Sequence, residues 1–388
     1  MKNSFFYYIY TTFLLIFFWR TAHFWLSNRY MGGEGKDILL YIALVMVELL
    51  SLYLIIIVKK KIRYDVWIHG VCFGWEIIAL VVLFINNASI GHYPKVLAWP
   101  LFFESAYLIV RWDYRMIKSI RKAYYFVLLV GAYVFFSSML LKQFSSQSNM
   151  IYFLILPVPI ILLHCNSQWR IRILFLASFL ALMSMKRSMI LAIFLFWAIY
   201  GFKYLFGKGK KSLAIAMSVV FIGVAYGTVN VVDKITDSGL SSRTVDYEKA
   251  DITNGREKIY TITWAMIEQS TKAQLILGHG HNAVRRDSPL EISAHNEYLE
   301  IIYDYGIIAL TIYLGLWIYV IKQFLFHYRN NTIYFIPYAL SICIFVVMSM
   351  VSQLVLYVSY FLYLVMFWGI VQAAKERWKL KKHKCILK

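Results

Sequence analysis

Charge is what this chain has least of, and acid least of all. Only 15% of its 388 residues are Asp, Glu, Lys or Arg, and the 20 acids face 40 bases. The four cysteines, Cys72, Cys165, Cys343 and Cys385, are scattered with no CxxC spacing, which argues against a disulfide framework and against a cysteine zinc site. No internal repeat, low-complexity linker or second soluble domain interrupts the chain, so residues 1–388 are expected to form a single membrane domain. With 61% hydrophobic and 18% aromatic residues and a mean hydropathy of +0.62, too little polar surface remains for a water-soluble globule.

What is present is a series of apolar runs. They fall near 4–19, 38–58, 66–85, 96–110, 123–141, 150–164, 172–185, 189–206, 212–232, 302–321, 333–351 and 353–372. Most are long enough, or nearly so, to cross a hydrocarbon layer about 30 Å thick. The pattern predicts an all-α polytopic membrane protein with about twelve spans and both termini on one side. The run after Lys2 lacks a small-residue cleavage site near Thr21-Ala22-His23, so it is expected to be retained as the first span.

A net charge of +20 would suit nucleic acid only if it sat on a soluble face. Here it is explained by topology. With the amino terminus inside, the inner segments hold 25 of the 40 Lys and Arg residues, the short outer loops 7, and residues 233–301 the remaining 8. The positive-inside bias therefore places both termini in the cytoplasm and the long loop between spans nine and ten outside it.

That loop is the only long polar stretch, and residues 233–304 hold 12 of the 20 acids. Its acidic bulk is expected to be mainly structural. Ile259, Ile262, Trp264, Met266 and Ile267 alternate with polar residues in a spacing compatible with an amphipathic helix on the membrane surface. Lys186-Arg187 breaks the charge pattern, as two adjacent cations on an outer turn call for water, a partner or an anion. Arg243, Arg256, Arg285 and Arg286 add cations on the same face, and a guanidinium fork suits the paired oxygens of a phosphate. Each also has acids close in sequence to pair with. His279 and His281 have no matching ligand pair, and read as loop punctuation rather than half a metal site. His295 is the strongest candidate base, because a neutral imidazole accepts a proton near neutral pH; a histidine at a helix start is also commonly a cap. Glu48, Glu76 and Glu104 fall within predicted spans, where they serve either function or helix-to-helix bonding.

Taken in order, Ser184-Met185-Lys186-Arg187-Ser188, Gly255-Arg256 before a helix with Trp264, Gly278-His279-Gly280, and His295-Asn296 ahead of Gly306 resemble the O-antigen ligase and O-antigen polymerase superfamily. The likeness covers about residues 180 to 320. It implies a GT-C-like helical architecture and a glycosyltransferase of the bacterial inner membrane, using undecaprenyl-diphosphate-linked glycan as donor and a second glycan as acceptor. It also implies that Arg187 and Arg256 hold the donor diphosphate and that His295 is the base. Lys186, Arg243, Arg285, Arg286 and Asn296 are further substrate-binding candidates. No metal or other cofactor is expected. Partners beyond the two glycans would be membrane lipids, a chain-length regulator and a flippase, with no nucleic acid. Ala309 departs from the ligase pattern, which favours a polymerase of repeat units over a ligase that moves glycan to lipid A core. A flippase or other transporter is the non-enzyme alternative.

Overall fold

The computed structural model describes residues 2–31, 37–58, 66–140, 149–184, 186–204, 256–352, 354–355 and 357–386. The apolar run 212–232, Arg243 and the first part of the polar loop lie outside the described residues. An apolar chain in lipid has no water to bond its backbone, so its amides and carbonyls must be satisfied within helices. Helix is the only regular structure among the described residues.

Five long helices come first: α1 (Lys2–Met31), α2 (Ile38–Val58), α3 (Val66–Ile85), α4 (Tyr93–Trp112) and α5 (Met116–Leu140). The single-turn helices α6 (Tyr152–Ile155) and α7 (Val158–Ile161) precede α8 (Ser167–Met183) and α9 (Arg187–Tyr204). The polar segment contributes α10 (Arg256–Glu268), α11 (Lys272–Leu277) and α12 (Ala283–Asp287). Three long helices close the chain: α13 (Glu297–Arg329), α14 (Phe335–Val351) and α15 (Val358–Ile386).

Among the described residues five helices, α2, α3, α5, α13 and α15, are long and apolar enough to cross a membrane, fewer than the twelve spans read from hydropathy. Local chemistry explains part of the gap. Pro157 and Pro159 divide the run 150–164 into α6 and α7, because proline lacks an amide donor and clashes with the preceding turn. Both short helices are fully buried. At the other extreme, α1 continues well past its apolar run to Met31, and Arg20 on it pairs with Asp37 at 2.7 Å.

The frame is built round α15. Of its apolar window 89% is buried, against 33% for α2, and it packs along α4. Trp99 and Trp368 lie in that core, while Ile42, Leu49, Ile56 and Phe84 on α2 and α3 remain exposed, as lipid-facing side chains do. Buried polar groups are bonded across helices. Glu104 of α4 accepts from the His69 ring of α3 at 2.5 Å, so this carboxyl serves as a helix-to-helix partner. Gln323 of α13 bridges Lys375 and Gln372 of α15 at 2.8 Å each, and Tyr107 donates to Glu376 at 2.6 Å.

Candidate functional site

Asn296 starts α13, its Oδ1 accepting from the amides of Tyr298 and Leu299 at 3.0 and 3.2 Å. An N-cap of this kind satisfies amides that the first helical turn cannot. The capping carbonyl is therefore committed to the backbone.

Three acids then follow on the first turns of α13, all buried. Glu297 Oε1 accepts from the Val355 amide at 2.9 Å. Glu300 Oε1 accepts from the Ala294 amide, which fixes the chain just ahead of His295. Asp304 Oδ1 accepts from the Val284 amide at 2.9 Å, and its carboxylate also receives the amides of Asn282 and Ala283. It thereby anchors the start of α12.

Beyond Asp304 the helix kinks at Gly306, with φ 79° and ψ 178°, a conformation essentially confined to glycine. The carbonyls of Tyr303 and Asp304 accept from the amides of His279 and Gly280 at 3.0 and 2.9 Å. Gly278, at φ 78°, passes so close that a Cβ there would lie 2.2 Å from the Asp304 carbonyl oxygen. A Cβ on Gly306 would meet the Ile276 oxygen at the same distance. The two glycines let the end of α11 and the kink of α13 touch backbone to backbone.

The flanking histidines are anchors. His279 stacks on Tyr303 at 4.0 Å. His281 Nδ1 is 2.6 Å from the Tyr305 hydroxyl, and the His92 ring lies 4.7 Å away. Burial, then the nearby His92 and Lys95, hold the His281 imidazole down to about 3. Among the described residues no three His, Cys, Asp or Glu side chains converge as a metal site would require.

His295 itself is half-buried and takes a left-handed φ of 53°, uncommon for a side-chain-bearing residue. The Tyr260 hydroxyl of α10 reaches the carbonyls of His295 and Met350, 3.3 Å from each, so α10 braces the turn against the end of α14. Burial pushes the His295 imidazole below its ordinary value, and the charges of Arg256 and Lys186 push it further. Its neutral, proton-accepting form is therefore favoured.

Arg256 opens α10 and makes no ion pair among the described residues. Its charge acts on both His295 and Tyr152. Lys186 Nζ donates to Asn149 Oδ1 at 2.8 Å and stands 5.5 Å above the Tyr152 ring. The Tyr152 hydroxyl lies 3.0 Å from Ser188 Oγ. Two cations from separate parts of the chain thus meet the one histidine. Arg187 is the first residue of α9 and is exposed, next to Lys186, whose charge acts on His295.

Arg285 and Arg286 face elsewhere. They line a hollow of about 300 Å³ with Asn282 and Glu291. Arg286 pairs with Asp287 at 2.7 Å and donates to the His279 carbonyl at 3.2 Å. Sequence reasoning did not single out Asn149, Tyr152, Ser188 as a side chain, or Tyr260. Being uncharged, they carry no signal of their own; the available clue was a proline-broken apolar run beginning beside Asn149.

Residues 172–314 match the family model described as O-antigen ligase. The match takes in most of α8, all of α9 and the polar segment, and α13 to a little past its kink, so Lys186, Arg187, Arg256 and His295 all fall inside it. No curated protein matches the chain. The five apolar helices and the O-antigen ligase match over residues 172–314 point together to a membrane protein.

Proposed function

With the O-antigen ligase match as premise, we propose that the chain polymerises oligosaccharide repeat units carried on undecaprenyl diphosphate at the outer face of a bacterial inner membrane. The reading includes the twelve-span, GT-C-like arrangement, cytoplasmic termini, and residues 233–301 as the outer loop. One observation carries the chemistry: His295 is half-buried on a turn braced by Tyr260, and burial, then the charges of Arg256 and Lys186, hold its imidazole below its ordinary value.

In the proposed step, His295 accepts the proton of an acceptor sugar hydroxyl. The freed oxygen forms a bond to the donor anomeric carbon from the face opposite the leaving group, inverting that centre. The bond from that carbon to the diphosphate oxygen breaks, and undecaprenyl diphosphate leaves with the electron pair. Arg256, Lys186 and Arg187 stabilise the charge that builds on the diphosphate, as preorganised cations do in a site shielded from water. Donor and acceptor are both lipid-linked in this reading. No metal is invoked.

The ligase reading differs in acceptor only. The family match does not choose between the two, whereas Ala309 favours the polymerase. Purified chain supplied with lipid-linked repeats alone should give a ladder of lengthening products. A product that appears only when lipid A core is added would replace the polymerase reading with the ligase one, and no glycan conversion under either condition would sink both.

A further inference from the structure

The end of the bundle away from His295 holds a cavity of about 710 Å³. Its position follows from α4, which begins beside His281 at Tyr93 and runs 20 residues to Trp112, a rise of about 30 Å. The cavity opens where α2 and α4 end and α5 begins. Phe6 of α1 and Tyr53 and Ile57 of α2 form its apolar wall. Phe6 and Tyr53 stack at 5.5 Å, yet Tyr53 stays 53% exposed and Ile57 41%. Nothing from the described chain covers that wall.

The mouth has the opposite chemistry. Trp112, 44% exposed, lies beside Arg115 and Arg377, the pairing of indole and cation typical of a membrane interface. Arg115 is paired with Asp113 at 3.0 Å. Arg377 stands 5.5 Å over the Tyr114 ring and makes no ion pair among the described residues. The first turn of α5, a 25-residue helix, begins at Met116 in the cavity lining, where the amides of Met116, Ile117 and Lys118 already bond the carbonyls of Asp113, Tyr114 and Arg115, so the charge of the mouth is that of its side chains.

A small free anion would satisfy this mouth and leave the apolar wall bare. A neutral lipid would cover the wall and leave two cations at the mouth, Arg115 and Arg377, with one lining carboxylate, Asp113, to share. We infer that the cavity is a binding site for an anionic phospholipid, with its phosphate at Arg377 and Arg115 and an acyl chain along Phe6, Tyr53 and Ile57. The occupant wedges α1 and α2 against the ends of α4 and α15. The site is independent of the proposed glycosyl transfer, since it shares no residue with the His295 cluster.

The test uses the delipidated full-length chain in detergent, with native mass spectrometry for bound lipid and thermal unfolding for its effect. Dioleoyl phosphatidylglycerol, dioleoyl phosphatidylcholine and inorganic phosphate are compared. Two cations near a headgroup correspond to a preference of about tenfold for the anionic lipid, accompanied by a rise in unfolding temperature. Arg377→Gln should remove most of that preference and Arg377→Lys should keep it, a contrast that holds even if both variants lose some stability. Leu54→Trp, which fills the cavity, should weaken both lipids together. Equal retention of the two lipids would overturn the proposal in favour of a purely apolar filler. Displacement of phosphatidylglycerol by inorganic phosphate would instead show a free-anion site. An Arg377→Gln chain with undiminished preference would place the headgroup elsewhere.

Discussion

The acids of the polar segment and the cations around His295 do opposite things. Glu297, Glu300 and Asp304 are at most 2% exposed, and each carboxylate accepts from a backbone amide of another stretch of chain. Lys186 and Arg256 are only half-buried, and both direct their charge at His295. A carboxylate buried among amides is a structural clasp, because removing it strands donors that water cannot reach. A cation held near an imidazole raises the cost of protonating it, which would serve the base role proposed for His295. Charge density alone does not separate the two groups; what each charge faces does.

Substitutions can break that division, and the largest effect belongs to the cationic side. His295→Ala should lower glycosyl transfer by about 10²- to 10⁴-fold, or about 3–5 kcal/mol of barrier, while the unfolding temperature stays near that of the parent chain. Retained transfer in a defined assay would remove His295 as the base. On the clasp side, Gly306→Ala forces a side chain into a glycine-only conformation and against the Ile276 oxygen. A loss of about 3 kcal/mol in denaturant unfolding is expected, with activity falling only as far as folding does.

Asp304→Ala is next, at about 2 kcal/mol for the amides it leaves buried and unbonded. Asp304→Asn retains the acceptor oxygen and should cost clearly less; equal losses would mean that the charge, not the hydrogen bonds, matters. The smallest effect is on pH. Because His295 is held below its ordinary value, activity should persist on the alkaline side and fall as pH drops through that lowered midpoint. Arg256→Gln removes one of the charges responsible, so the midpoint should move up towards 6.5 by less than about one unit, or ~1 kcal/mol. A midpoint that stays put or moves down would detach Arg256 from His295.

Much of this was legible in the chain itself. Among the described residues helices stand where hydropathy places apolar runs, because lipid leaves the backbone no alternative, and the amphipathic spacing from Ile259 to Ile267 falls within α10. The glycines at 278 and 306 were visible as punctuation, but their mutual contact was not, since it depends on two backbones meeting 28 residues apart in sequence. The contacts of Lys186 were equally hidden. That its ammonium reaches Asn149 and the Tyr152 ring depends on packing that no sequence pattern carries. Hydropathy also missed the break of the run 150–164 into α6 and α7, because a sliding average is blind to what proline does to a helix.

The joint between Gly278 and Gly306 has a practical corollary for anyone building chimaeras. Since the amides of His279 and Gly280 bond to carbonyls of α13 itself, and α13 runs unbroken from its kink to Arg329, the transplantable module is not the loop. A graft cut at Gly306 would separate the two halves of a backbone-to-backbone hinge. One that carries residues 256–329 together would bring the polar segment with its own mounting shaft.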